Sequence, residues 1–70
     1  MRVKLSALQR IYQTGGLPEQ IAVRTIVENS SNLREVSGQM DSWVKVNPDV
    51  VPLVEKLREK GLLLSSEVKE

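Results

Sequence analysis

The segment 47–62 constrains this chain most, because it carries the start, the periodicity and the stop of one helix. Two starts are compatible with it: Asn47 can cap a helix whose first residue is Pro48, or Val51 can precede Pro52 as the first residue. The second start is favoured, since a proline inside a helix loses a hydrogen bond and clashes with the turn before it. The segment therefore predicts one amphipathic helix in a chain of mainly helical class.

The end of this helix is marked by Gly61, which suits the left-handed position past a helix terminus. Leu62 can then contact Leu57, a pairing that accompanies this kind of stop. Residues 62–64 can run on as a short strand, and residues 65–70 are expected to form a frayed tail. The apolar side of the helix consists of Val50, Leu53, Val54 and Leu57.

The N-terminal part of the chain predicts a short extended segment followed by a first helix. Residues 2–5 alternate polar and apolar side chains, which fits a short edge strand or an extended arm. Ser6 and Gln9 fit a capping box at the start of the helix. Gly15-Gly16 ends it, because glycine tolerates the left-handed conformation at a helix terminus.

A second helix is predicted to open at Pro18, because the missing N–H of proline costs nothing in the first turn. The segment is rich in β-branched residues, so a strand over 21–27 stays open as an alternative. Residues 29–32 supply a turn and a cap for a third helix, whose apolar side chains fall within about 100° of a helical wheel. Those side chains are Leu33, Val36, Met40, Trp43 and Val44.

These elements predict an all-α fold, in which residues 1–70 form one domain of about four short helices. Short strands at the two ends are a variant of the same prediction. A chain of this length buries only about 60% of the surface that its unfolded form exposes, so a single small core is expected. The residues expected to be buried in it are Leu33, Val36, Met40, Leu53, Val54 and Leu57.

Composition argues against catalysis and metal binding. The chain has no Cys and no His, which excludes disulfides, thiolate metal sites, the usual zinc ligand and the usual general base. We expect no enzyme activity, no cofactor and no small-molecule substrate. No apolar run approaches the roughly 20 residues of a membrane helix, and small domains without cysteine are typical of reducing compartments. These observations favour a cytoplasmic, intracellular protein.

Basic residues are concentrated before residue 25, where four of them accompany one acidic residue. The run 54–63 resembles the end of the recognition helix and the first wing strand of MarR-like regulators, with 32–37 as the helix before it. This resemblance implies a winged-helix-like fold and a DNA-binding transcriptional regulator as the alternative to a helical bundle. In that alternative the phosphate contacts are expected from Arg2, Lys4 and Arg10, joined by Lys56, Arg58 and Lys60.

The preferred function is a non-catalytic regulatory or adaptor role, exerted by association with a protein partner or with a second copy of the chain. A short chain with several wide apolar stripes has difficulty in burying all of them. Apolar residues outside those stripes, exposed together, form a patch typical of an interface. The residues that fit this description are Ile21, Val51 and Leu63.

Overall fold

The computed structural model describes residues 1–34 and 42–69, which form a small α+β domain. Its helices are α1 (Leu5–Thr14), α2 (Leu17–Glu28) and α3 (Val51–Glu59). Its strands are β1 (Arg2–Lys4), β2 (Ser30–Arg34), β3 (Ser42–Val46) and β4 (Val68–Lys69). The 3₁₀ turns Pro48–Val50 and Ser65–Glu67 precede α3 and β4. None of the helices in the described part of the chain is long and apolar enough to span a membrane.

The four strands form one antiparallel sheet in the order β2–β3–β1–β4. β1 is therefore an interior strand, and neither the predicted edge strand nor the predicted arm is correct. Val3 of β1 lies opposite Val44 on one side and Val68 on the other. Side chains of directly opposed residues lie on the same face of a sheet, and all three valines are buried. They define the covered face, against which the helices pack.

The all-α prediction is wrong, because residues placed in the third helix belong to strands β2 and β3. Trp43 and Val44 are adjacent residues that occupy opposite faces of β3, and both are buried. Two adjacent apolar residues also fit the apolar side of an amphipathic helix, so the sequence pattern favours a helix here. Pairing with β1, a segment about 40 residues away, decides the structure here, and local periodicity contains no signal for such a contact.

The winged-helix-like alternative is wrong for a related reason. Residues 32–34 are extended, so the helix that was expected before the recognition helix does not begin there. After α3, residues 62–63 form a bend instead of the first wing strand. The sheet is built on β1 and closed by β4, an arrangement that the resemblance does not predict.

The first, second and fourth predicted helices are confirmed as α1, α2 and α3. Lys4 is the N-cap of α1 and its side chain makes no capping hydrogen bond, so the predicted capping box of Ser6 and Gln9 is wrong. Pro18 lies in the first turn of α2, as predicted. The same helix includes 21–27, which removes the strand alternative for that segment.

Gly15 ends α1 for a reason other than the predicted one. Its φ is −82°, outside the left-handed region. A Cβ at this position would lie 2.6 Å from the carbonyl oxygen of Ile11 and 2.8 Å from Cβ of Glu19. The turn into α2 thus requires glycine because the chain passes too close to itself for a side chain. Gly61, with a φ of 75°, does adopt the left-handed conformation predicted for it.

The helix α3 starts at Val51, which was the favoured start, and Pro48 opens the 3₁₀ turn before it. At its end the N–H of Leu62 donates to the carbonyl oxygen of Leu57 over 3.1 Å. The tail predicted over 65–70 is wrong for 65–69, because a 3₁₀ turn and a strand paired with β1 occupy these residues. The C-terminal segment thereby completes the sheet.

The apolar core lies between the covered face and the three helices. Val54 and Leu57 are buried in it as predicted, and Leu53 is half-buried against it. Leu33 is half-buried and lies opposite Trp43, on the other face of the sheet from the core. Val36 and Met40, the remaining residues of the predicted core, fall outside the described residues.

Candidate functional site

The face of the sheet turned away from the helices, here called the outer face, carries a row of basic residues. In the register of the strands Arg2 lies between Lys45 on β3 and Lys69 on β4. Ser31 of β2 lies opposite Lys45 and continues the row across the fourth strand. Directly opposed side chains have Cβ atoms about 5 Å apart. Three cations therefore stand side by side on rigid strands.

A second row on the outer face centres on Trp43. It lies opposite Lys4 on β1 and Leu33 on β2. The guanidinium carbon of Arg2 is 5.9 Å from the centroid of its ring, and Nζ of Lys4 is 5.7 Å from it. Both distances are within the range of cation–π attraction. Trp43 is only 7% exposed. Its ring lies against the sheet, and the two cationic groups contact it.

The row places like charges on directly opposed residues of the sheet. Like charges on directly opposed residues destabilise a pair of strands, and Arg2 has a lysine opposite it on each side. Lys45 and Lys69 are exposed, which moderates the repulsion through solvent. An arrangement that concentrates positive charge on one face is the kind expected where an anion binds.

Glu67 forms the acidic border of this region. Burial alone would raise the pKa of its carboxyl. The N–H of Leu64, 3.0 Å from Oε2, and the guanidinium of Arg10, 2.5 Å from Oε1, outweigh that effect. Together with the nearby Lys4, they lower the pKa of Glu67 below its ordinary value. The carboxylate thus holds Arg10 and fastens the 3₁₀ turn to α1.

The residues predicted to contact phosphate fall into three groups. Arg2 and Lys4 lie on the outer face, together with Lys45 and Lys69. Arg10 is on α1 and paired with Glu67. The remaining three are on α3 and at its C-terminal cap, and α3 packs on the covered face. They are Lys56, Arg58, which is 3.8 Å from Glu55, and Lys60, which is 3.4 Å from Glu19.

The residues predicted to form a protein interface do not lie on one exposed surface. Ile21 of α2 is 57% exposed. Val51 is half-buried against the core. Leu63 is 2% exposed and belongs to the core itself. The expectation that Leu63 is exposed is wrong, because the bend after α3 turns this leucine inward while leaving Leu64 outside.

A surface absent from the sequence-based predictions is a groove between α1 and α2, about 550 Å³ in volume. Its apolar lining includes Leu5, Leu8 and Val23, with Tyr12 and Val27 as partly exposed walls. Grooves of this size and lining are common binding surfaces. Helical spacing within each segment is visible in the sequence, but the packing of α1 on α2 that creates the groove is not.

The contribution of Lys45 and Lys69 was also missed from the sequence, although one signal was present. The run Trp43-Val44-Lys45-Val46 alternates in the same way as Arg2-Val3-Lys4. Two alternating runs of this kind predict two half-buried strands with cations on one face. The assignment of Trp43 and Val44 to a helix hid that signal.

The described residues contain no group of three or more His, Cys, Asp or Glu side chains placed to hold a metal ion. Comparisons of the chain with protein-family models, with curated proteins and with solved structures give no match. The chemistry of the outer face and of the groove is therefore the basis on which a function is proposed.

Proposed function

We propose that the protein binds nucleic acid through the outer face, with Arg2, Lys4, Lys45 and Lys69 contacting phosphates. The observation that carries this proposal is the row Lys45–Arg2–Lys69, three cations abreast on hydrogen-bonded strands. Phosphates that contact these cations release counterions, which favours binding. This is a non-catalytic role, in agreement with the absence of His and Cys from the sequence.

The geometry favours a polyanion of regular spacing over a single small anion. Cations on neighbouring strands are about 5 Å apart, and those on the same face of one strand are separated by about 7 Å. A nucleic-acid strand offers phosphates at similarly regular intervals. The cations across the strands and those along β1 can therefore contact several phosphates of one strand at once. A single small anion would contact only one or two of these cations.

Trp43 adds rigidity to this surface. Its ring lies beneath Arg2 and Lys4 and restricts the orientations of these two long side chains. Phosphate contacts position a protein on nucleic acid without reading its sequence. We therefore expect binding with little sequence preference and strong salt dependence, with dissociation constants of about 10⁻⁴–10⁻⁶ M at physiological salt.

The test is fluorescence anisotropy of labelled single-stranded and duplex oligonucleotides over a range of salt concentrations. The variant replaces Arg2, Lys45 and Lys69 by Ala. Its matched control replaces Lys56, Arg58 and Lys60 by Ala, which removes the same amount of charge from α3 and its C-terminal cap. We expect the first variant to lower the logarithmic salt slope by about 3, roughly 1 for each lost contact, and the control to leave it almost unchanged.

Two results contradict the proposal. One is the absence of binding at tens of micromolar protein and low salt. The other is an equal loss in both triple variants, which would reduce the effect to net charge. Poly-glutamate of similar length serves as a competitor, and displacement as efficient as that by unlabelled oligonucleotide would indicate an acidic protein partner instead. Trp43, as the single tryptophan, reports independently, since its emission changes when phosphates draw Arg2 and Lys4 away from its ring.

A further inference from the structure

The two aromatic residues of the chain, Trp43 and Tyr12, are placed where their rings do not stack on bases at the outer face. Trp43 belongs to this face, but it is buried, and the cationic groups of Arg2 and Lys4 lie over its ring. A base would reach that ring only after both cations had left it. Tyr12 is on α1 and lines the groove between α1 and α2. The outer face therefore offers charge without a stacking surface.

This combination distinguishes between the two forms of nucleic acid. Proteins that bind single strands without sequence preference combine a basic groove with aromatic side chains on which successive bases stack. A flexible strand loses conformational freedom on a rigid surface, and stacking compensates for that loss. A duplex is already ordered and carries one phosphate per about 1.7 Å of its axis, against about 3.4 Å for one of its strands. A surface that acts through charge alone therefore favours the duplex.

The row Lys45–Arg2–Lys69 also has the width needed to span a groove. Lys45 and Lys69 lie on the two strands that flank β1, so two strand intervals, about 10 Å, separate them. The minor groove of B-DNA is about 6 Å wide. The two lysines can thus contact phosphates on its opposite walls, which belong to different strands, while Arg2 lies over the groove between them. A single strand supplies only one such wall.

We propose that the outer face prefers a nucleic-acid duplex to a single strand, with Lys45 and Lys69 on the phosphates of its two strands. This inference rests on the proposed function, since it names the form of nucleic acid that binds at the same site. Lys4 lies on the same face of β1 as Arg2 and supplies a fourth phosphate contact. Four contacts at about 0.9 each predict a logarithmic salt slope of about −3.6 for the duplex.

Fluorescence anisotropy of the full chain compares a labelled DNA duplex with each of its separate strands at the same low salt concentration. We expect the duplex to bind about tenfold more tightly than either strand, or more so, because it brings a higher charge density and needs no ordering. The variant in which Ala replaces Arg2, Lys45 and Lys69 should lose this preference. A duplex preference that survives in this variant would place it on another surface and overturn the inference.

Supplying a ring to the outer face tests the physical reason for the preference. Ser31 is exposed on β2 and lies opposite Lys45, at the end of the basic row. Ser31→Phe adds a stacking surface without removing a cation or a core side chain, so it should tighten single-strand binding about fivefold or more. Duplex binding should stay within about twofold, because paired bases are not open to stacking. Ser31→Leu, apolar but without a ring, is the matched control and should change neither.

The outcomes separate this inference from the proposed function. Single strands that bind the wild type as tightly as the duplex, or more tightly, would overturn the duplex preference and leave nucleic-acid binding intact. An equal gain from Ser31→Phe and Ser31→Leu would also contradict the inference, because apolar contact and not stacking would then limit single-strand binding. Failure of both probes to bind would remove the proposed function and this inference together. Circular dichroism checks that each variant is folded.

Discussion

Adjacent residues of the same strands build the two faces of the sheet, and the two faces differ in chemistry. On β1 and β3, Val3 and Val44 enter the core, while their neighbours Lys4 and Lys45 lie on the outer face. The covered face brings together side chains that favour one another in the absence of water. The outer face brings together basic side chains.

This difference separates the residues that hold the fold from those that we propose contact nucleic acid. Every valine of the covered face contributes folding free energy through burial. The side chains of Lys45 and Lys69 are exposed, so they contribute little to folding through burial. A step of one residue along a strand therefore moves from a buried core position to one on the outer face, and single substitutions can test the separation.

The largest effect is expected from Val44→Ala on the covered face. Val44 is fully buried, and the loss of two methyl groups with the cavity left behind should lower the free energy of unfolding by about 2–3 kcal/mol. Lys45→Ala, one residue further on, should change it by less than about 0.5 kcal/mol and weaken oligonucleotide binding instead. Urea denaturation measures the first quantity and anisotropy the second. Similar destabilisation by both substitutions would refute the division into two faces.

A smaller effect is expected from Glu67→Gln, at the border between the faces. Its carboxylate accepts hydrogen bonds from Leu64 and from Arg10, and their weakening should lower the free energy of unfolding by about 1–2 kcal/mol at neutral pH. This range is discounted because Arg10 is more than half exposed.

The effect of Glu67→Gln should depend on pH in one direction. The pKa of Glu67 is lowered in the folded state, so its stabilisation is fully present above the unfolded value of about 4.3. It is lost as the pH falls through the folded pKa. The difference between the wild type and the variant should therefore disappear in acid. A difference that is constant from pH 7 to pH 3 would show that Glu67 acts by packing and not by charge.

The smallest effect, and the one most specific to the outer face, is expected from Lys45→Glu. Replacing one cation of the row by an anion next to Arg2 should stabilise the fold by about 0.2–1 kcal/mol while weakening nucleic-acid binding. Lys56→Glu on α3 is the matched control and should do neither. Opposite signs of change in stability and in binding are the signature of a row kept for a ligand. Loss of stability on Lys45→Glu would mean that the cation supports the sheet.

The helices were predictable from the sequence, because their signals are local. Pro18 in a first turn, Gly61 past a helix end and the apolar side of α3 each act within a few residues. The strands were not, since Trp43 and Val44 gain their burial from β1 and from opposite faces of the sheet. Gly15 lies between these cases: its place at the end of α1 was predictable, but the close approach to Ile11 was not.

The candidate site was predictable only in part, for the same reason. Arg2 and Lys4 stood out because they belong to a basic segment of sequence. Lys45 and Lys69 join them only through strand pairing, and Lys56, Arg58 and Lys60 are separated from them only by the packing of α3. Local charge density therefore identified two of the four basic residues of the outer face. It also included three basic residues at α3 that do not lie on this face.

The interior position of β1 has a consequence for how the chain reaches its structure. Both edges of this strand pair with segments far along the sequence, Val3 with Val44 and Arg2 with Lys69. During synthesis, residues 2–4 leave the ribosome with two unpaired edges and acquire their last partner only when residue 69 has emerged. Pairings between such distant segments slow the search for the native state relative to a helical bundle of equal length. Completion of the sheet thus requires residue 69, and the basic row is assembled only after that residue has emerged.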